Sequence, residues 1–139
     1  MKILIQLTST IMSEAIRSLL HENGLTACSG SGDPDFLPDI VLVDVNTVGD
    51  ELIDRFPEAK LLLLDTGIKK EKLAEALLCY DISGIISADT GFDLFKKALT
   101  AIDEGRVWID KTTIRSFLTA SDPATKREPA RRKKAAGSE

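Results

Sequence analysis

Short, uninterrupted apolar runs separated by helix-periodic stretches constrain this chain most. The runs are Ile3-Leu4-Ile5, Ile40-Val41-Leu42-Val43, Leu61-Leu62-Leu63-Leu64 and Gly84-Ile85-Ile86. Each is too short for a helix and is flanked by polar turns, which predicts a strand. Because they are continuously apolar rather than alternating, these strands must be covered on both faces. Between them lie helical patterns. Ile11, Met12, Ala15, Ile16, Leu19 and Leu20 repeat at helical spacing after the N-cap cluster Thr8-Ser9-Thr10, and Asn23-Gly24 is a stop. Residues 51–56 predict a short helix ended by Pro57. Residues 69–80 are amphipathic through Leu73, Ala74, Leu77 and Leu78. Phe92, Phe95, Ala98, Leu99 and Ile102 mark one face of a helix that stops at Gly105. Residues 25–29 predict a weak second strand, and the stretch 30–38, rich in Gly, Ser, Pro and Asp, leaves little room for a helix. A last amphipathic piece covers about residues 112–118. Strands alternating with helices, joined by right-handed crossovers, predict an α/β fold: a doubly wound, five-stranded parallel sheet flanked by helices.

At 139 residues, the chain accommodates one domain with a real core and has no room for a second. No apolar stretch approaches the roughly 18 residues a membrane helix needs. Gln6 and Thr8-Ser9-Thr10 interrupt the apolar start too early for a signal peptide, so a cytoplasmic protein is expected. Cys28 and Cys79 have no metal spacing and are expected to be small buried thiols. Charge is uneven. Residues 1–119 carry 12 Lys and Arg against 19 Asp and Glu, whereas residues 120–139 carry 6 against 3, including Arg131-Arg132-Lys133-Lys134. The division expected is a domain over 1–118 and a flexible basic tail or linker over 119–139. The basic run is short and has no aromatics for base stacking, so it reads as a solvated tether rather than a nucleic-acid arm.

Asp44 ends the second long apolar run, at the carboxyl edge where open α/β sheets place their chemistry. The order and lengths of the elements resemble the receiver domain of bacterial two-component response regulators, in particular receivers that precede a helix-turn-helix DNA-binding domain. The segments carrying the resemblance are Pro38 to Asp44, Phe56-Pro57-Glu58-Ala59-Lys60-Leu61, Ile82-Ser83-Gly84-Ile85-Ile86 and, most specific, Ala101-Ile102-Asp103-Glu104-Gly105-Arg106-Val107-Trp108-Ile109. The resemblance implies a flavodoxin-like strand order 2-1-3-4-5 and makes Asp44 the phosphoacceptor position, served by a sensor kinase. It also implies a partner or homodimer surface on the fourth helix, fifth strand and fifth helix of the family. That surface corresponds here to residues 70–104, with Lys70 at one end and Glu104 at the other, where Tyr80 and Phe92 are candidate contacts although core positions explain both.

The groups that should accompany Asp44 are missing. A transferring phosphoryl group is neutralised by Mg²⁺, which needs hard oxygen ligands, typically more than one carboxylate. The family's acidic pair is replaced by Gln6-Leu7-Thr8. Its hydroxyl residue after the fourth strand aligns with Asp65, with Thr66 one step on, and its Lys after the fifth strand is replaced by Ser87-Ala88. Asp65 is expected beside Asp44. The expectation is a degenerate receiver: a vestigial phosphoacceptor, no Mg²⁺ site, no cofactor, and signalling through protein–protein contact. Any DNA contact would come from a domain beyond residue 139.

The competing reading is a flavodoxin-like domain that binds a flavin or nucleotide phosphate on Thr8-Ser9-Thr10. That loop has no glycine to let the backbone approach a phosphate, and N-capping explains the same hydroxyls. Catalysis has little support. His21, the one histidine, is expected at the surface, and no Ser-His-Asp or zinc set can be completed around it. No enzyme is expected.

Overall fold

Every apolar run forms an interior strand in the computed structural model, which describes residues 1–30, 35–67 and 70–109. In chain order the elements are β1 (Lys2–Gln6), α1 (Thr10–Glu22), β2 (Thr26–Ser29), β3 (Ile40–Val43), α2 (Asp50–Arg55), β4 (Lys60–Asp65), α3 (Lys70–Cys79), β5 (Ile82–Ser87), α4 (Phe92–Asp103) and β6 (Trp108–Ile109). All neighbouring strands are parallel, in the order β2-β1-β3-β4-β5-β6. The expected order 2-1-3-4-5 is therefore present, with one correction: the sheet has six strands. The sixth is two residues at the edge, taken from the stretch read as a turn after the last helix. So short a strand has no periodicity to detect, and only its pairing of Gly84 with Trp108 and Ile85 with Ile109 defines it.

Alternation along the strands divides the core in two. Ile3, Ile5, Ile40, Leu42, Leu62, Leu64 and Ile86 face one side, where Leu20 of α1 and Phe95, Ala98, Leu99 and Ile102 of α4 cover them. Leu4, Val41, Val43, Leu61, Leu63 and Ile85 face the other, under Leu73 and Ala76 of α3 and the half-buried Leu52 and Ile53 of α2. Among the described residues, no helix connects β2 to β3. Asp39 does part of the joining instead: its carboxylate accepts the Lys2 N–H at 2.8 Å, and its carbonyl accepts the Lys60 N–H at 3.0 Å.

Local chemistry sets the helix ends. Ser9 caps α1, its hydroxyl accepting the Met12 N–H at 3.2 Å. Gly24, at φ +78°, lets the chain leave α1 with the Leu25 N–H bonded back to Leu20 O. Gly84 is required for packing: a Cβ there would lie 2.7 Å from Ile102 Cδ1 and 2.8 Å from the Trp108 carbonyl. The absence of a side chain lets α4 and β6 close on β5.

Cys28 is half-buried, but Cys79 is exposed at the end of α3, which corrects the expectation of two buried thiols. An α3 position one residue past the buried stripe faces solvent whatever its hydrophobicity. His21 is exposed as expected, with Nε2 3.3 Å from Ala27 O. The amphipathic piece at 112–118 and the tail at 119–139 lie outside the described residues.

Candidate functional site: a carboxylate tie at the ends of β1 and β3

The carboxyl ends of the central strands place the candidate residues. Gln6 is level with Val43, and Val43 with Leu63, so the chain leaves the sheet at Leu7, Asp44 and Leu64 side by side. Asp44 is 4% exposed, and it is the one charged group among the buried residues described. A buried carboxylate has to be hydrogen-bonded, because losing water without replacement costs several kcal/mol.

The Asp44 carboxylate has four partners. Oδ2 accepts the Thr8 N–H at 2.8 Å. Oδ1 accepts the Thr8 hydroxyl at 3.1 Å, the Asn46 N–H at 2.9 Å and the Thr47 N–H at 3.0 Å. An ionised carboxylate offers about four lone-pair sites, so these donors match its capacity. The main chain adds to the turn: the Asp44 N–H donates to Thr47 Oγ1 at 3.0 Å, and the Asp44 carbonyl accepts the Val48 N–H at 3.0 Å. Asp44 thus ties the β1–α1 loop to the turn that leads from β3 to α2.

The structure distributes the remaining sequence-predicted positions differently. Thr8 is brought directly onto Asp44. Gln6 turns toward β2, its Nε2 donating to Gly30 O at 2.9 Å, and Leu7 packs against the α1–α4 side of the core. Asp65 is half-buried and accepts the N–H of Gly67 at 3.0 Å, while Thr66 is exposed. Ser87 accepts the Asp89 N–H at 3.1 Å, and the Ala88 N–H donates to the Asp65 carbonyl at 2.9 Å. Asp65, Ser87 and Ala88 therefore form a second cluster, joined through the main chain. Among the described residues, no group of three or more His, Cys, Asp or Glu side chains is arranged to hold a metal ion.

Reasoning from sequence missed Asn46 and Thr47. Their signal was present in Asp44-Val45-Asn46-Thr47, a spacing in which an Asp side chain caps the N–H groups two and three residues on. Glu14 was also missed. The Ser29 hydroxyl donates to its Oε2 at 2.6 Å and Arg17 reaches its Oε1 at 2.8 Å; these bonds hold its carboxyl below the usual carboxylate value. They link the first turns of α1 to the end of β2.

An apolar cavity of about 180 Å³ lies between α1 and α4, lined by Met12, Ile16, Leu19, Leu64, Phe92 and Phe95 among others. It does not reach Asp44 or the Thr8-Ser9-Thr10 turn. It is also smaller than the roughly 300 Å³ at which cofactor pockets begin.

No protein-family model and no curated protein matches the sequence. Solved structures do. The chain is similar to the isolated receiver domain of RcsB from Salmonella enterica serovar Typhimurium with the phosphomimetic BeF3-, at 20% identity and a TM-score of 0.62, covering 83% of this chain and 96% of that one. It is similar to a LuxR-family two-component response regulator from an Aurantimonas species, at 17% identity and a TM-score of 0.67, covering 86% and 96%. A third similarity is to RcsB in a structure of two dimers bound to two parallel DNAs, at 21% identity and a TM-score of 0.66, covering 83% of this chain. The chain spans 66% of the length of that RcsB chain. The fold is that of a receiver domain. No helix among the described residues is long and apolar enough to cross a membrane.

Proposed function

We propose that this receiver-fold chain is a signalling module of a two-component or transcriptional response-regulator system in which Asp44 is a structural tie and phosphoryl transfer is weakened or lost. The observation that carries this reading is the complete set of donors on the Asp44 carboxylate. In-line attack on a phosphoryl group needs a free carboxylate oxygen and a positive counter-charge beside it. Here both oxygens are engaged, and the Thr8 hydroxyl and N–H occupy the position of the family's metal-binding acids. A hydroxyl is a poor substitute for a carboxylate as a Mg²⁺ ligand.

With the chemistry gone, the remaining role is non-enzymatic recognition in the cytoplasm, through residues 70–104 with a protein partner or a second copy. Leu78 on α3 is 88% exposed and Leu94 on α4 is 44% exposed, which supports an interface there. Ile11 on α1 is comparably bare at 85%, so cross-link mapping has to include an α1 probe. The RcsB neighbour assembles as dimers on DNA. By analogy this module would reach DNA through a domain beyond residue 139, with 119–139 as the basic linker.

The test is incubation of the protein with acetyl phosphate and Mg²⁺, followed by intact-mass measurement and peptide mapping. The unmodified mass is expected. A stoichiometric, hydroxylamine-labile phosphoryl adduct on Asp44 refutes the reading.

A further inference from the structure

The outer rim of the sheet on the α3 side carries an uncovered apolar strip. Gly84 lies opposite Trp108, and a Cβ on Gly84 would meet Ile102 and Leu62, so this register level faces the α1–α4 side. Trp108 accordingly packs against that half of the core. Strand alternation then sends Ile109, and Val107 two residues before it, to the opposite side. Ile109 is level with Ile85, which is 1% exposed within the half of the core that α3 covers. That cover ends at β5: Val107 is 67% exposed and Ile109 46%.

The chain supplies its own candidate cover. Directly after β6, two residues, Asp110 and Lys111, lead into a stretch whose apolar side chains Ile114, Phe117 and Leu118 recur at i, i+3 and i+4. That spacing gives one apolar face of a helix. Two residues suffice for a connection between a strand and a helix in this fold class. Seven helical residues rise about 10 Å, enough to span the roughly 7 Å between Val107 and Ile109. We propose that residues 112–118 fold back on the α3 side of the sheet edge, with Ile114, Phe117 and Leu118 covering Val107 and Ile109. The segment closes the rim of the core, and everything after residue 118 then departs from the α3 side. This arrangement is independent of the state of Asp44.

The test is methyl-detected NMR on the full chain, with Phe117→Glu and the opposite-face control Arg115→Ala. Contacts between the Phe117 ring and the Val107 and Ile109 methyls are expected, unchanged on dilution. In Phe117→Glu the amide of Ile109 should exchange faster by on the order of tenfold, while Arg115→Ala leaves it unchanged. Absence of those contacts together with unaltered exchange in Phe117→Glu overturns the proposal. So do contacts that appear only between differently labelled copies, since a second chain would then be the cover.

Discussion

The turns that follow β3 and β4 both begin with an aspartate, and they differ in almost everything else. Asp44 is buried, takes four hydrogen bonds and joins two loops. Asp65 is half-buried, and its carboxylate accepts the N–H of Gly67, two residues on in its own turn. The contrast comes from what each strand has beside it. β3 lies next to β1, whose loop brings Thr8 within reach, whereas β4 lies next to β5, whose loop meets Asp65 through the Ala88 N–H and the main-chain carbonyl. A carboxylate becomes structural when a neighbouring loop supplies donors and excludes water. Without such a neighbour it remains a local turn cap.

The largest expected effect comes from removing the buried member. Asp44→Ala leaves three backbone N–H groups and a hydroxyl without their acceptor, which should cost about 3–4 kcal/mol and lower the melting temperature by roughly 10 °C. Thermal unfolding followed by circular dichroism measures this, and a shift no larger than that of Asp65→Ala would erase the distinction between the two turns. Thr8→Val deletes one hydroxyl donor while keeping the shape and the backbone N–H, so a loss of about 1 kcal/mol is expected. Urea denaturation resolves a change of that size. If Thr8→Val also lets acetyl phosphate label Asp44, the hydroxyl is what keeps the carboxylate occupied.

Asp65→Ala should stay within about 0.5–1 kcal/mol, because its partner can turn to water. The same denaturation series checks it. The smallest effect concerns Glu14, which is fully exposed. Its folded-state pKa lies below the ordinary value of 4.5, so its contribution is present above that pH and is lost as the pH falls through the folded value. Glu14→Gln should therefore shallow the acid limb of the stability curve and leave neutral pH almost unchanged. A limb that stays as steep would mean that the Ser29 and Arg17 bonds do not persist in solution.

Much of this architecture was legible in the residues themselves. Uninterrupted runs such as Ile40-Val41-Leu42-Val43 have one stable environment, a strand covered on both faces, and the helical stripes between them supply the cover. The position of Asp44 at a strand end followed from the same pattern. The use made of that position did not. Thr8 is 36 residues away in sequence, and its hydroxyl looked like a second helix cap until the register of β1 against β3 brought the two loops together. Ser9 took the capping role alone. The sixth strand was equally hidden, since two residues have no period and Trp108 was placed only by the missing side chain of Gly84.

Local patterning, then, determined the class of fold, the run of strands and helices and the site of the one buried carboxylate. Those properties depend on hydrophobicity and turn chemistry, which act over a few residues. The tertiary structure alone decided that this carboxylate is saturated by donors from another loop while its counterpart on β4 is not. Hydrogen bonds between distant segments depend on strand register and loop approach, and neither is encoded in any short stretch of chain.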